Sequence, residues 1–193
     1  MEAVNTGPRT GRPRDPATDV RLCEAALQVL RERGPAGVTI EAVSQASGIA
    51  KTTIYRRHTN AESLLGAALA SLTFTAPDLD HLPPSERLVA GLEGFRHGLE
   101  DGIGMFAYAT LMTQPDQPFA RLCRERLLKP RLEVLTALVA DLQDQQLIRA
   151  DVPAETVVLM TAGAYFTGTA THGATPHDWA RDAVNAFWVG AAE

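Results

Sequence analysis

Apolar residues recur along this chain at three- and four-residue spacing, and nowhere do they alternate with polar ones in the period-two rhythm of a strand. The pattern predicts an all-α protein. Asp15-Pro16 opens the first helix, with Asp15 as N-cap and Pro16 where a missing N–H costs nothing. Cys23, Ala26, Leu27 and Leu30 form its apolar stripe, and Gly34-Pro35 ends it. Thr39 caps a short helix carrying Ile40 and Val43, which stops near Ser47-Gly48, where glycine supplies the freedom a tight turn demands. A second short helix runs from about Ala50 to His58, anchored inward by Ile49 and Ile54. Asn60 then caps a helix to about Thr73, with Leu64, Leu65, Ala68, Leu69 and Leu72 inward and Glu62 near its positive end.

Proline-rich sequence from Ala76-Pro77 through Pro83-Pro84 separates these elements from helices expected at 85–101, 103–113, 117–146, 153–171 and 177–191. Pro130 should kink or interrupt the third of these around Leu128. The organisation read from this is a flexible basic arm at 1–14 and a three-helix unit at 15–60. A joining helix at 61–73 and a larger helical domain at 74–193 complete it.

Composition adds little to the fold but much to the partner. A net charge of -5 looks unsuited to nucleic acid until the chain is divided. Residues 1–60 hold nine Lys or Arg against six Asp or Glu, a net +3, so the remainder carries -8 of the total. Such asymmetry suits a small phosphate-facing unit on an acidic body that helps orient it. The two cysteines form neither a disulfide framework nor a metal-ligand cluster. Without an apolar run behind Arg9, Arg12 and Arg14 or a membrane-length segment, a cytoplasmic protein is expected, with no cofactor.

The segment from Gly48 to His58 concentrates the chemistry. With Ile49 and Ile54 turned inward, Ala50, Lys51, Thr52, Thr53, Tyr55, Arg56 and Arg57 are left for the outer surface. Lys and Arg neutralise phosphates or read guanine edges, Thr hydroxyls serve backbone or base, and a tyrosine phenol reaches phosphate. Thr39, at a helix N-terminus, favours a phosphate. These residues behind a glycine turn describe a helix-turn-helix poised for a major groove. Arg12 and Arg14, stiffened by Pro13, suit insertion into a narrow minor groove.

Thr39-Ile40, Val43, Ala46-Ser47-Gly48-Ile49, Thr53-Ile54-Tyr55 and Glu62-Ser63-Leu64, at these offsets, resemble the N-terminal domain of TetR/AcrR-family transcriptional regulators. The likeness spans about residues 15–70. It implies a three-helix DNA-binding domain, a larger helical ligand-binding domain and a homodimer whose last two helices form a four-helix bundle. The chain departs from the pattern at three places. Thr52 stands where a small residue is common, Arg57-His58 where a His-aromatic pair is frequent, and Ala61 where a lysine often contacts phosphate.

In the body, Phe95, Met105, Phe106, Tyr108, Met112, Met160, Tyr165 and Phe166 are candidate walls of a small-molecule cavity, with His97 and His172 as further polar groups. With only 6% aromatic residues, an aliphatic or mixed effector is expected rather than a planar cation in a stacking cage. Val157, Thr161, Ala164, Gly168, Trp179, Ala183, Ala186 and Phe187 are the candidate dimer interface. Cys123 lies between Arg121 and Arg124, but no His or acid is placed beside it, so a structural thiol is expected rather than an enzyme's nucleophile. The whole reads as a ligand-responsive DNA-binding regulator, with a repressor released from a palindromic operator as the leading form. A DNA-binding activator shares every one of these residues, and a helical small-molecule binder without duplex affinity stays open too.

Overall fold

The computed structural model describes residues 15–72 and 76–190. Ten α-helices account for most of them: α1 Pro16–Arg33, α2 Ile40–Ser47, α3 Lys51–Tyr55, α4 Ala61–Ser71, α5 Pro84–Glu100, α6 Gly104–Thr113, α7 Pro118–Cys123, α8 Lys129–Asp144, α9 Ala154–His172 and α10 Trp179–Phe187. The three expected side-chain caps form. Asp15 accepts from the Ala17 amide at 3.1 Å, Thr39 from Ala42 at 3.0 Å and Asn60 from Ser63 at 2.8 Å. Each satisfies an amide that the first helical turn leaves without a partner.

Four boundaries move. The second short helix is only Lys51–Tyr55, because the backbone must reach an extended Asn60 to cap α4. That joining helix ends at Ser71, and Thr73 lies outside the described residues. The long 117–146 helix breaks where proline demands: α7 gives way to a π-helical segment at Arg124–Leu128, and α8 restarts with Pro130 near its head. The last helix stops at Phe187, since Trp188 turns extended and pairs with Ile148 in an isolated antiparallel bridge.

The buried apolar residues form one contiguous core with two parts. In the first, α1 presents Leu22, Ala26, Val29 and Leu30 to Val43, Ile54, Leu64 and Leu69, while Cys23 sits only half-buried at the edge of its expected stripe. In the second, Leu92, Phe95 and Leu99 of α5 join Val139 and Leu142 of α8, Tyr165 of α9 and Trp179 of α10. The α1 helix belongs to both regions, packing against α2 and α4 on one side and α6 on the other. Among the described residues no helix is long and apolar enough to cross a membrane.

Candidate nucleic-acid interface

The turn between α2 and α3 is built from backbone and side chain together. Gly48 adopts φ +69° and returns its amide to the Ser44 carbonyl at 3.0 Å, a left-handed C-cap that a Cβ would strain. Ser44 donates to the Ile49 carbonyl at 2.7 Å, and Arg21 of α1 donates to the Ser47 carbonyl at 2.8 Å. Ile54, with no exposed surface, pins α3 to the core. Ala50, Lys51, Thr52, Tyr55 and Arg56 are thereby left exposed, Thr53 half-buried, and Thr39 exposed at the head of α2.

The cations of this face differ in how free they are. Arg56 has no ion pair among the described residues. Lys51 meets Glu41 at 2.9 Å, with both side chains about half-exposed or more, a contact worth little in water and easily exchanged for a phosphate. Arg57 does not share the outer surface as its spacing implied. Its side chain is 11% exposed and grips Asp19 of α1 at 2.5 Å, so it fastens the turn that follows α3 to α1 instead of pointing outward. Asp19 lies too far back in sequence for local spacing to reveal the pair. His58 follows, with an Nε2 that has no hydrogen-bond partner. Burial pushes its pKa below the ordinary histidine value, Asp19 opposes this and Arg57 reinforces it. Arg12 and Arg14 lie outside the described residues.

Four of the eight expected ligand-wall residues come together: the rings of Tyr108, Phe166 and Tyr165 are in contact, and the Tyr165 hydroxyl lies 3.8 Å from the Met105 sulfur. Phe95 and Tyr165 are core residues, 4% and 0% exposed. Tyr108 stacks on Phe166 with ring centroids 3.7 Å apart, whereas Met112 and Met160 face outward. Helical periodicity cannot tell an aromatic that fills a core from one that lines a cavity. Phe106 lines a cleft of about 460 Å³ between α1, α4, α6 and α7. A larger groove of about 660 Å³ lies between α8 and α9, floored by Leu128, Leu132, Val158 and Leu159, none of them anticipated.

The expected pairing residues also divide. Val157, Thr161 and Trp179 are buried within the protomer, and Gly168 closes on Pro176, where an added Cβ would come within 2.9 Å. Those four serve the chain's own packing. Ala164 and Ala186 are exposed, and Ala183 and Phe187 half-buried. The outward stripe of α9 instead passes through Met160, Gly163, Ala164 and Thr167, and a Cβ at Gly163 would meet nothing within 4 Å. Burial pushes the Cys123 thiol up to about 12, which suits a packing residue rather than a nucleophile.

A polar relay that the sequence did not signal joins the regions. Glu100, at the end of α5, accepts from Tyr165 of α9 at 2.8 Å and from Thr175 at 3.0 Å, and pairs with Arg96 at 2.7 Å. Burial opposes its charge, yet the two hydroxyls and Arg96 together hold its carboxyl below the usual range. The next two carbonyls, Asp101 and Gly102, accept from Arg31 of α1 at 3.0 and 3.3 Å. Gly104, at φ +77°, lies so close to α1 that an added Cβ would sit 3.0 Å from the Arg31 Cα.

Residues 22–68 match the family model for bacterial regulatory proteins of the tetR family. The fold is similar to that of a TetR transcriptional regulator from Agrobacterium tumefaciens, with a TM-score of 0.64 at 20% identity over 90% of this chain and 95% of that one. It is also similar to a transcriptional regulator from Saccharomonospora viridis in complex with choline, with a TM-score of 0.68 at 16% identity over 91% and 100%. For the hemolysin II transcriptional regulator HlyIIR the TM-score is 0.66 at 12% identity, over 91% and 99%. No curated protein matches the chain significantly. All three of these solved structures are transcriptional regulators.

Proposed function

We propose that this chain, whose residues 22–68 belong to the tetR family of bacterial regulatory proteins, is a homodimeric, ligand-responsive repressor that binds a palindromic DNA site through α3. The carrying observation is the exposed set Lys51, Thr52, Tyr55 and Arg56 on a helix held by Ile54 and Arg57. Lys51 and Arg56 neutralise phosphates or read guanine, Thr52 and Thr53 offer hydroxyls to base edges, and Tyr55 and Thr39 take backbone phosphates. Each protomer supplies one such helix, so a dimer presents two, about 34 Å apart on successive major grooves. Pairing through the exposed α9 stripe and the extended segment after α10, where Val189 is 62% exposed, buries apolar surface that a monomer leaves in water.

Release follows from differential binding of two dimer geometries. The contacts Tyr165–Glu100, Asp101 and Gly102 with Arg31, and Asp19–Arg57 form a continuous path from α9 through α5 and α1 to α3. An effector in the body that shifts α5 or α6 displaces α1 with it, and α3 moves out of register with its partner. The similarity in fold to a regulator crystallised with choline supports a small-molecule effector. Fluorescence anisotropy with genomic fragments selected by pull-down tests the reading. Salt-sensitive, saturable binding at a two-fold symmetric site supports it, and salt-independent or absent duplex binding overturns it.

A further inference from the structure

The ring of His58 sits where α3 is fastened to the rest of the chain. Its backbone amide donates to the Ile54 carbonyl at 2.9 Å, as does that of Arg57, so the two residues close the end of α3 before Asn60 caps α4. The ring is half-buried, and its Nε2 is shut from solvent with no hydrogen-bond partner among the described residues. Among those residues, the charged groups acting on it are Asp19 of α1 and the neighbouring Arg57. They are already closed on each other at 2.5 Å, and Arg57 also reaches the Asp15 carbonyl at 3.4 Å. A neutral imidazole fits this seat, since Nε2 can remain a bare lone pair while Nδ1 carries the hydrogen. An imidazolium does not. It turns Nε2 into a buried, charged N–H with nothing to accept it, beside a guanidinium of the same sign. The carboxylate that could offset the charge is committed to Arg57.

We infer that His58 is an acid-release latch for α3. When the ring takes up a proton it either leaves its seat or draws Asp19 away from Arg57, and both moves loosen the joint between α1 and the turn that follows α3. Duplex affinity then falls on acidification. Positive charge gained elsewhere on a protein works the other way, tightening its hold on phosphate as pH falls, so the sign of the effect is diagnostic. Burial holds the ring's pKa below the ordinary histidine value, with Asp19 opposing and Arg57 assisting. Stability at this joint is therefore full above the ordinary histidine pKa and falls away as pH drops below it toward the lowered folded value. The effect on the duplex rests on the reading of α3 as the groove-docking helix; the loosening itself does not.

Fluorescence anisotropy with a selected genomic fragment, at constant ionic strength from about pH 8 to about pH 5.5, tests the latch across the histidine range. The wild type should lose roughly threefold or more in duplex affinity on acidification, and His58→Phe, a ring of similar size that takes no proton, should lose none. His177→Gln, at an exposed position of the body, should keep the wild-type loss. Affinity that holds or rises in acid, or a loss that persists in His58→Phe, overturns the latch. Urea unfolding over the same pH range is the second arm: the wild-type midpoint should fall in acid by more than that of His58→Phe, and parallel pH dependence overturns the loosening. A chain that shows this difference but binds no duplex contradicts the DNA reading and leaves the loosening standing. Should His58→Phe fail to fold, the wild-type ring resonances decide by NMR. A His58 titration moved to lower pH by the duplex supports the latch, and one that stays in place overturns it.

Discussion

The two halves of this molecule differ in how their arginines are used, although each leaves some open: Arg121 and Arg126 of the body, like Arg56, are exposed without an ion pair among the described residues. In the body, Arg96 is closed between Glu93 and Glu100, Arg181 on Glu86, and Arg87 and Arg149 on Asp80 and Asp151. In the amino-terminal unit, Arg56 is open and Lys51 only loosely engaged, while Arg57 and Arg21 are spent on holding the scaffold. A charge folded onto its own chain fixes a geometry; a charge left open invites an external anion. The division explains how a protein of net charge -5 presents a nucleic-acid face.

The largest test of this contrast removes the support beneath the open charges. Ile54→Ala should cost about 2–5 kcal/mol in urea unfolding and abolish duplex binding together with the fold of α3. If binding survives intact, the placement of α3 is not what presents the cations. Next in size, Arg56→Ala should weaken duplex affinity by roughly tenfold at low salt while stability stays within about 0.5 kcal/mol. Arg181→Ala, the body's counterpart, should leave duplex affinity unchanged, and equal losses in the two variants would erase the distinction.

Arg57 sharpens it further. A double-mutant cycle between Asp19→Ala and Arg57→Ala, measured by chemical denaturation, should return a coupling of about 1 kcal/mol. Because the guanidinium is turned inward, Arg57→Ala should weaken duplex binding without altering its salt slope; a reduced slope would return Arg57 to the phosphate-contacting set. The smallest effect is in pH. Glu100 is held below the usual carboxylate range, so its stabilisation is complete above the ordinary carboxyl pKa and is lost as pH falls through the lowered folded value. Thermal melts of Glu100→Gln should therefore lack an acid-side loss on the order of 1 kcal/mol or less that the wild type shows.

The same contrast governs what was legible in the sequence. Asp15, Thr39, Asn60 and Gly48 act within three or four residues of themselves, so caps and turn could be read directly and form as expected. Pro130 likewise broke its helix by local sterics. On α9 the apolar pattern has no clear phase. Val, Ala, Gly and Thr surround that helix on every side, so periodicity alone could not decide that Val157 and Thr161 turn inward while Met160 and Gly163 turn out. Arg57–Asp19, Glu100–Tyr165 and Arg31–Asp101 span wide gaps in sequence, and only the folded arrangement of helices brings them together.

The decisive measurement is the slope of log duplex affinity against log salt concentration for the wild type and Arg56→Ala. A steep negative slope that becomes shallower by about one unit in the variant is the predicted result. Superimposable slopes, or a flat line in the wild type, would contradict an α3 surface that meets phosphate.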